Sequence, residues 1–250
     1  MGRQPEIVKV VIPSYHRASR VRALAIPNSV VCVPQSEYDE YVKYCGEDRV
    51  VPHPDDVIGI GPKRQWIIEK FKNVFMIDDE YDHLVRCYLP EGSEENAHCT
   101  PEETYDIIQA TARLTKELGT YLFGFSKTAK PLYFNPADPF GVCVSASNLI
   151  YYGIGILDGG EIFVPKDLNY NEDDFISLIN CFNNRFCLVD KRFSYPFAQN
   201  DKNGMTTAGK NIDEWNKNAR RLVQYFSPLV RLDGENEDGS LKVKIGKAFE

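Results

Sequence analysis

Val74-Phe75-Met76-Ile77 runs without a polar side chain straight into Asp78-Asp79-Glu80. Four consecutive apolar residues show no alternation and are too few for a helix, so they predict a strand buried on both faces, as in a helix-covered parallel sheet. The three carboxylates at its end repel one another, and a positive partner is expected there. Asp78 and Glu80 are candidate oxygen ligands for a hard cation, Mn2+ or Mg2+, able to bridge a diphosphate. A solvated acidic turn is the plainer alternative.

Upstream, residues 7–12 (IVKVVI) and 29–33 (SVVCV) are short β-branched strands stopped by Pro13 and Pro34. Ser36 is placed to cap a helix over 37–44, where Tyr38, Tyr41, Val42 and Cys45 recur at helical spacing before Gly46. Residues 49–51 form a weak third strand, and Pro62 opens a helix through Trp66, Ile67 and Phe71. This β-α-β-α order predicts a parallel sheet with right-handed crossovers. Ligands of such sheets bind beyond the carboxyl ends of the strands, which brings Pro13-Ser14-Tyr15-His16-Arg17 to the rim that carries Asp78. The turn Gly59-Ile60-Gly61-Pro62-Lys63-Arg64 leads into a helix N-terminus, where glycines would admit a ligand and Lys63 or Arg64 would meet a phosphate. It has neither Walker nor dinucleotide-fingerprint spacing, so an ordinary helix start competes.

Downstream, Thr100 and Glu103 form a capping box for a helix over 100–118, with Ile107, Thr111, Leu114 and Leu118 on one face and Gly119 as its stop. Aromatic strand-like pieces follow at 121–125, 131–134, 140–147 and 160–165, then a helix near 173–182. Residues 206–217 read as polar and irregular, 215–226 as a short helix, 233–240 as a turn, and 241–245 as an edge strand.

At 250 residues and 43% hydrophobic content, the chain suffices for one large α/β domain without staples. Its seven cysteines are an odd number with no C-x-x-C pair, and they read as reduced thiols in a cytoplasmic protein. No signal-like start or apolar stretch near 18 residues is seen, so no membrane partner is expected. The net charge of −7 argues against a polyanionic partner, but the charges are unevenly spread. Residues 37–106 hold 18 acidic against 7 basic side chains, whereas residues 185–221 hold 8 basic against 4 acidic. The total therefore does not exclude a nucleic acid.

Together Val10-Val11-Ile12-Pro13-Ser14-Tyr15, Arg64 and Phe75 through Glu80 resemble a GT-A glycosyltransferase, over residues 7–82. The resemblance implies a Rossmann-type α/β sandwich with a mostly parallel sheet and an acceptor-side extension. Residues 1–120 would be the half that binds a nucleotide sugar and 121–250 the acceptor half. It implies donor contacts at Pro13, Ser14, Tyr15, Arg17, Arg64, Asp78 and Asp79, and a D-x-D-like metal motif ending in Glu80 where relatives have Asp. Asn171-Glu172-Asp173-Asp174 looks like the acidic helix start that supplies the family's catalytic base, with Asp173 first and Glu172 next. A carboxylate there is stabilised as the anion, as a base requires, though capping alone would also explain the residues. Relatives often add a late His ligand; this chain has none after His98. His83, four residues beyond Asp79, is a candidate donor near the site, with a solvated histidine as the plainer reading.

More narrowly, IPSY (12–15), PQSE (34–37), IGPKRQWII (60–68), FMIDDE (75–80), NEDDF (171–175) and the segment 192–210 resemble the phage TET-associated glycosyltransferases. That resemblance implies transfer from a UDP-linked donor to 5-hydroxymethylcytosine or another hydroxymethylpyrimidine in DNA. Arg192, Lys202 and Lys210 would meet phosphates, and Phe193, Tyr195 and Phe197 would offer stacking faces. Direct displacement would invert the anomeric carbon; retention stays open. The rival readings are a nucleotidyltransferase, whose glycine- and lysine-rich loop is replaced here by Ser14-Tyr15-His16-Arg17, and a non-catalytic binding module on the same fold.

Overall fold

A computed structural model describes residues 5–90, 92–93, 97–126, 128–143, 153–195 and 211–246. In chain order its strands are β1 (Lys9–Pro13), β2 (Val30–Pro34), β3 (Val50–His53), β4 (Val74–Ile77), β5 (Val85–Arg86), β6 (Leu122–Ser126), β7 (Phe140–Cys143), β8 (Gly153–Ile156), β9 (Cys187–Ser194), β10 (Val230–Glu235) and β11 (Leu241–Ile245). Its helices are α1 (Tyr38–Cys45), α2 (Ile60–Phe71), α3 (Pro101–Glu117), α4 (Glu172–Asn184) and α5 (Ile212–Phe226).

The apolar run at 74–77 is a central strand, as expected. β1 lies parallel to it, with Lys9 opposite Val74 and Val11 opposite Met76. The sheet runs β3-β2-β1-β4-β8-β6-β9-β5, with β7 also paired to β9. β1, β2, β3, β4, β6 and β9 point one way, and β5, β7 and β8 run against them. The fold is thus mixed α/β with a mostly parallel sheet.

Side chains of β4 alternate between two cores. Val74 and Met76 join Val11, Ile67, Phe175 and Leu222, so α2, α4 and α5 cover one face. Phe75 and Ile77 join Ile12, Tyr41, Tyr105 and Ile108, so α1 and α3 cover the other. Strand β8, which the sequence reading missed, is inserted between β4 and β6 as Gly-Ile-Gly-Ile. Its glycines face aromatic rings: a Cβ on Gly155 would lie 2.0 Å from Phe123, and one on Gly153 2.7 Å from Phe75.

The capping box of α3 is formed: the Glu103 N–H donates to Thr100 Oγ1 (3.2 Å) and the Thr100 N–H to Glu103 Oε2 (2.8 Å). The buried face, however, is Thr104, Tyr105, Ile108, Thr111, Ala112 and Thr115, and Leu118 is exposed. Threonines can face this core because their hydroxyls back-bond to the helix, Thr111 to Ile107 O (2.9 Å) and Thr115 to Thr111 O (2.7 Å).

Other expectations are corrected. Ser36 does not cap α1; it sits in the 3-10 turn Gln35–Glu37 and donates its N–H and hydroxyl to Asp55. Residues 131–133 form a 3-10 turn, and 160–165 form no strand yet bury Ile162 and Val164. Asn211 caps α5 by accepting from the Glu214 N–H (3.1 Å), so 212–217 are helical. β11 pairs with β10 in a separate two-stranded sheet instead of extending the main one. Residues 144–147 and 206–210 lie outside the described residues.

Candidate active site

The carboxyl ends of β1 and β4 are adjacent, and a closed polar ring ties them together. The Arg17 N–H donates to the Tyr41 hydroxyl (3.0 Å), which lies 2.8 Å from Ser14 Oγ, and Ser14 in turn donates to Asp79 Oδ2 (2.6 Å). Since the Ser14 proton goes to the carboxylate, Tyr41 must donate to Ser14. Burial pushes the Tyr41 hydroxyl up to about 12, which keeps that proton in place. Arg17 Nη1 closes the ring on Asp79 Oδ1 (3.0 Å) and also holds Glu80 Oε1 at 2.5 Å. Burial disfavours the Arg17 charge, but the Asp79 and Glu80 carboxylates outweigh it and raise its pKa. Asp79 is buried with both oxygens taken by this chain, so it organises the strand ends. The sequence predicts Asp79 as a donor contact and Tyr41 as helical packing; no spacing signal reports a ring closed between residues 14 and 79.

Asp78 takes no part in this ring. Its side chain is 39% exposed, and its Oδ1 is 3.8 Å from Arg64 Nη2. Loss of hydration in the walled site raises its pKa to about 6; Arg64 opposes this, and the charges of Asp79, Glu80 and Asp173 add to it. Arg64 projects from α2 into the interior, its Nη1 3.1 Å from Glu172 Oε1. Its Nε and Nη1 make no hydrogen bond among the described residues. A buried cation is thus bracketed by an acid at the end of β4 and an acid at the start of α4.

Asn171, in the left-handed conformation at φ 60°, leads into α4. Glu172 is buried, and its pKa is raised by burial, opposed by Arg64 and pushed further by Asp173. Asp174 is raised by burial and then by Asp173. Asp173 Oδ1 accepts the Asp174 N–H (2.9 Å), and its carboxylate is close enough to bias both Arg64 and Asp78. The two expected base residues therefore differ: Glu172 is committed to Arg64, and Asp173 is half-buried beside it.

The glycine turn before α2 is a close-packed helix start, the plainer of its two readings. A Cβ on Gly61 would lie 1.7 Å from Leu168 O, and one on Gly59 1.9 Å from Asn169 Oδ1. Gly61 admits the Leu168 backbone and Gly59 the Asn169 side chain. Lys63 is buried and donates to Ser14 O (2.6 Å), and burial lowers its pKa. Of the other expected donor contacts, Pro13 ends β1 in the core and the Tyr15 ring is exposed. His83 pairs with Asp82 (3.1 Å) and stacks on His98, with ring centroids 3.7 Å apart.

Among the described residues no three His, Cys, Asp or Glu side chains converge as a cage for a metal. Asp78 and Glu80, 39% and 35% exposed, fit the smaller set that Mg2+ and Mn2+ use, one or two carboxylates completed by substrate phosphates and water.

The expected nucleic-acid residues are placed as follows. Arg192 Nε and Nη2 bond the buried Asp190 carboxylate (2.9 and 2.8 Å), and its guanidinium lies 4.6 Å from the Phe140 ring centre. Phe193 and Tyr195 are only 8% and 7% exposed, edge-on to Phe125, so they are core rings and not open stacking faces. Phe197, Lys202 and Lys210 lie outside the described residues. The Tyr195 hydroxyl, which sequence reasoning had assigned no polar role, has no hydrogen-bond partner among the described residues. Burial, then Tyr81 and Asp78, raise its pKa well above the phenol value.

Similar solved structures include S. aureus TarS residues 1–349, alone and in complex with UDP. Each is 13% identical with a TM-score of 0.49, covering 86% of this chain and 65% of that one. A mycobacterial protein is 10% identical with a TM-score of 0.48, covering 97% and 84%. The chain thus spans less than two thirds of the TarS fragment. No curated protein matches it. The family described as TET-Associated Glycosyltransferase matches residues 8–154, more than half of the sequence. The chain belongs to the TET-associated glycosyltransferase family.

Proposed function

We propose that this protein is a metal-dependent glycosyltransferase that moves a sugar from a UDP-linked donor to the hydroxyl of a hydroxymethylpyrimidine in DNA. The observation that carries the reading is Arg64, buried at the strand ends between Asp78 and Glu172. It supports a donor diphosphate on the β1/β4 side, in residues 1–120, facing an acceptor that approaches the start of α4, in residues 121–250. Membership of the glycosyltransferase family supports the reaction class. No helix among the described residues is long and apolar enough to cross a membrane.

In this mechanism Ser14 and Arg17 hold the β1 loop against the donor, and Arg64 neutralises charge on the departing diphosphate. Asp78 and Glu80 would hold Mn2+ or Mg2+, which supplies Lewis-acid stabilisation of the leaving group. Asp173 takes the acceptor proton as the hydroxyl oxygen attacks the anomeric carbon, and Glu172 keeps Arg64 in position. The test is release of nucleoside diphosphate from a panel of nucleotide sugars, with and without Mn2+, coupled to intact-mass analysis of hydroxymethylated oligonucleotides. Manganese-dependent release with the matching mass gain is expected. Transfer confined to small sugars or proteins would refute the DNA acceptor and leave the glycosyltransferase reading standing.

A further inference from the structure

The three acids at the end of β4 divide their partners unequally. Asp79 gives one oxygen to Ser14 and the other to Arg17, while Glu80 is held by the same Arg17 Nη1 that bonds Asp79. One guanidinium nitrogen thus ties down two carboxylates, and both of them act electrostatically on Asp78. A divalent cation on Asp78 and Glu80 would compete with Arg17 for the Glu80 oxygen and would repel its charge. The Arg17 backbone is fixed, its N–H on Tyr41 and its carbonyl accepting from the Arg20 N–H (2.8 Å). Its long side chain is 27% exposed at the rim, and Asp79 is a buried anchor that stays available. The guanidinium is a planar fork of five N–H donors, so it can keep Asp79 while the donor that held Glu80 turns to a new anion.

We propose that Arg17 is a resident counterion of the acidic cluster, one that releases Glu80 when a divalent cation enters and turns its freed edge to the donor diphosphate. This rests on the reading of Asp78 and Glu80 as the metal site. The exchange makes cation and nucleotide mutually reinforcing: each provides what the other displaces, and the coupling must be equal in both directions. Before the donor arrives, the arginine offsets the repulsion between Asp79 and Glu80 at the end of β4.

The test is Mn2+ titration of the full chain by calorimetry, alone and with UDP, for the wild type, Arg17→Gln and Arg17→Lys. Removing a charge-assisted competitor is expected to tighten Mn2+ binding in the absence of nucleotide by about tenfold in Arg17→Gln. UDP should still strengthen Mn2+ binding in that variant through its own phosphates, but by a smaller factor than in the wild type, because the share of the coupling carried by Arg17 is gone. Arg17→Lys keeps the charge on a shorter side chain with a single nitrogen and no second edge for a diphosphate; it is expected to fall between the two, and it carries the test if Arg17→Gln does not fold. Unchanged or weaker Mn2+ affinity in the folded variants overturns the exchange. Absence of Mn2+ uptake by the wild type even with UDP overturns the metal reading beneath it, a separate and recognisable outcome.

Discussion

The carbonyl oxygen of Leu168 occupies the space that a side chain on Gly61 would need, 1.7 Å from the ideal Cβ position. The segment leading into α4 is thereby pressed onto the first turn of α2, and Arg64, one turn along α2, meets Glu172 across the contact. Gly61→Ala must push the two apart. We expect it to cost about 1–3 kcal/mol in urea unfolding and to lower kcat more than it raises donor KM. An unchanged unfolding midpoint would show that the contact yields freely.

The two acids at the start of α4 should separate in kinetics. Asp173→Asn is expected to reduce kcat by about 10²–10⁴-fold with donor affinity retained, the signature of a lost general base. Glu172→Gln leaves the buried Arg64 with a neutral partner, so donor affinity and thermal stability should fall together. Near-native turnover of Asp173→Asn alongside inactive Glu172→Gln would reverse the two assignments.

Asp78→Ala and Glu80→Ala are each expected to abolish transfer and metal-dependent donor binding while circular dichroism stays native. Full turnover of both at saturating donor would end the metal assignment. Asp78 also predicts a pH signature. Its folded pKa of about 6 exceeds the ordinary carboxylate value of 3.8, so the folded state binds more protons than the unfolded state between those values. Its contribution is therefore most favourable below about pH 4 and is lost as pH rises through 6. Asp78→Asn should gain stability relative to the wild type across that window and show a constant difference above it. A difference independent of pH would contradict the shift.

The basic residues at 192, 202 and 210 should not behave alike. Arg192 is tied to the buried Asp190, so Arg192→Ala is expected to cost about 2–3 kcal/mol of stability by stripping hydrogen bonds from a buried charge. Lys202→Ala and Lys210→Ala should instead leave the unfolding midpoint unchanged and flatten the salt dependence of DNA binding by about one unit per phosphate contact. Equal salt slopes across wild type and both lysine variants would remove them from the DNA surface.

Much of this was legible in the sequence because it is local. The apolar run 74–77, the prolines after β1 and β2, and the Thr100/Glu103 box each state their structure within a few residues. What escaped the reading is determined by distant partners. Gly153 and Gly155 become strand residues because Phe75 and Phe123 occupy the space above them. At Gly61 a phosphate turn and an ordinary helix start both stayed open because nothing nearby announces Leu168. Phe193 and Tyr195 looked like stacking faces because interleaved charges cannot say which side of a strand meets the core. In the site, the acidic cluster and Arg64 could be named from spacing and family likeness. Asp79 as organiser could not, since its partners lie more than 60 residues earlier.

The insertion of β8 between β4 and β6 also bears on synthesis. While the chain is being made, β4 acquires β1 as a neighbour early, but its other side stays open until residues 153–156 arrive. For that interval it is an edge strand of four apolar residues, the kind that invites pairing with another nascent chain. A fragment ending at residue 120 should therefore aggregate instead of forming a donor-binding module, which sedimentation of that fragment can check.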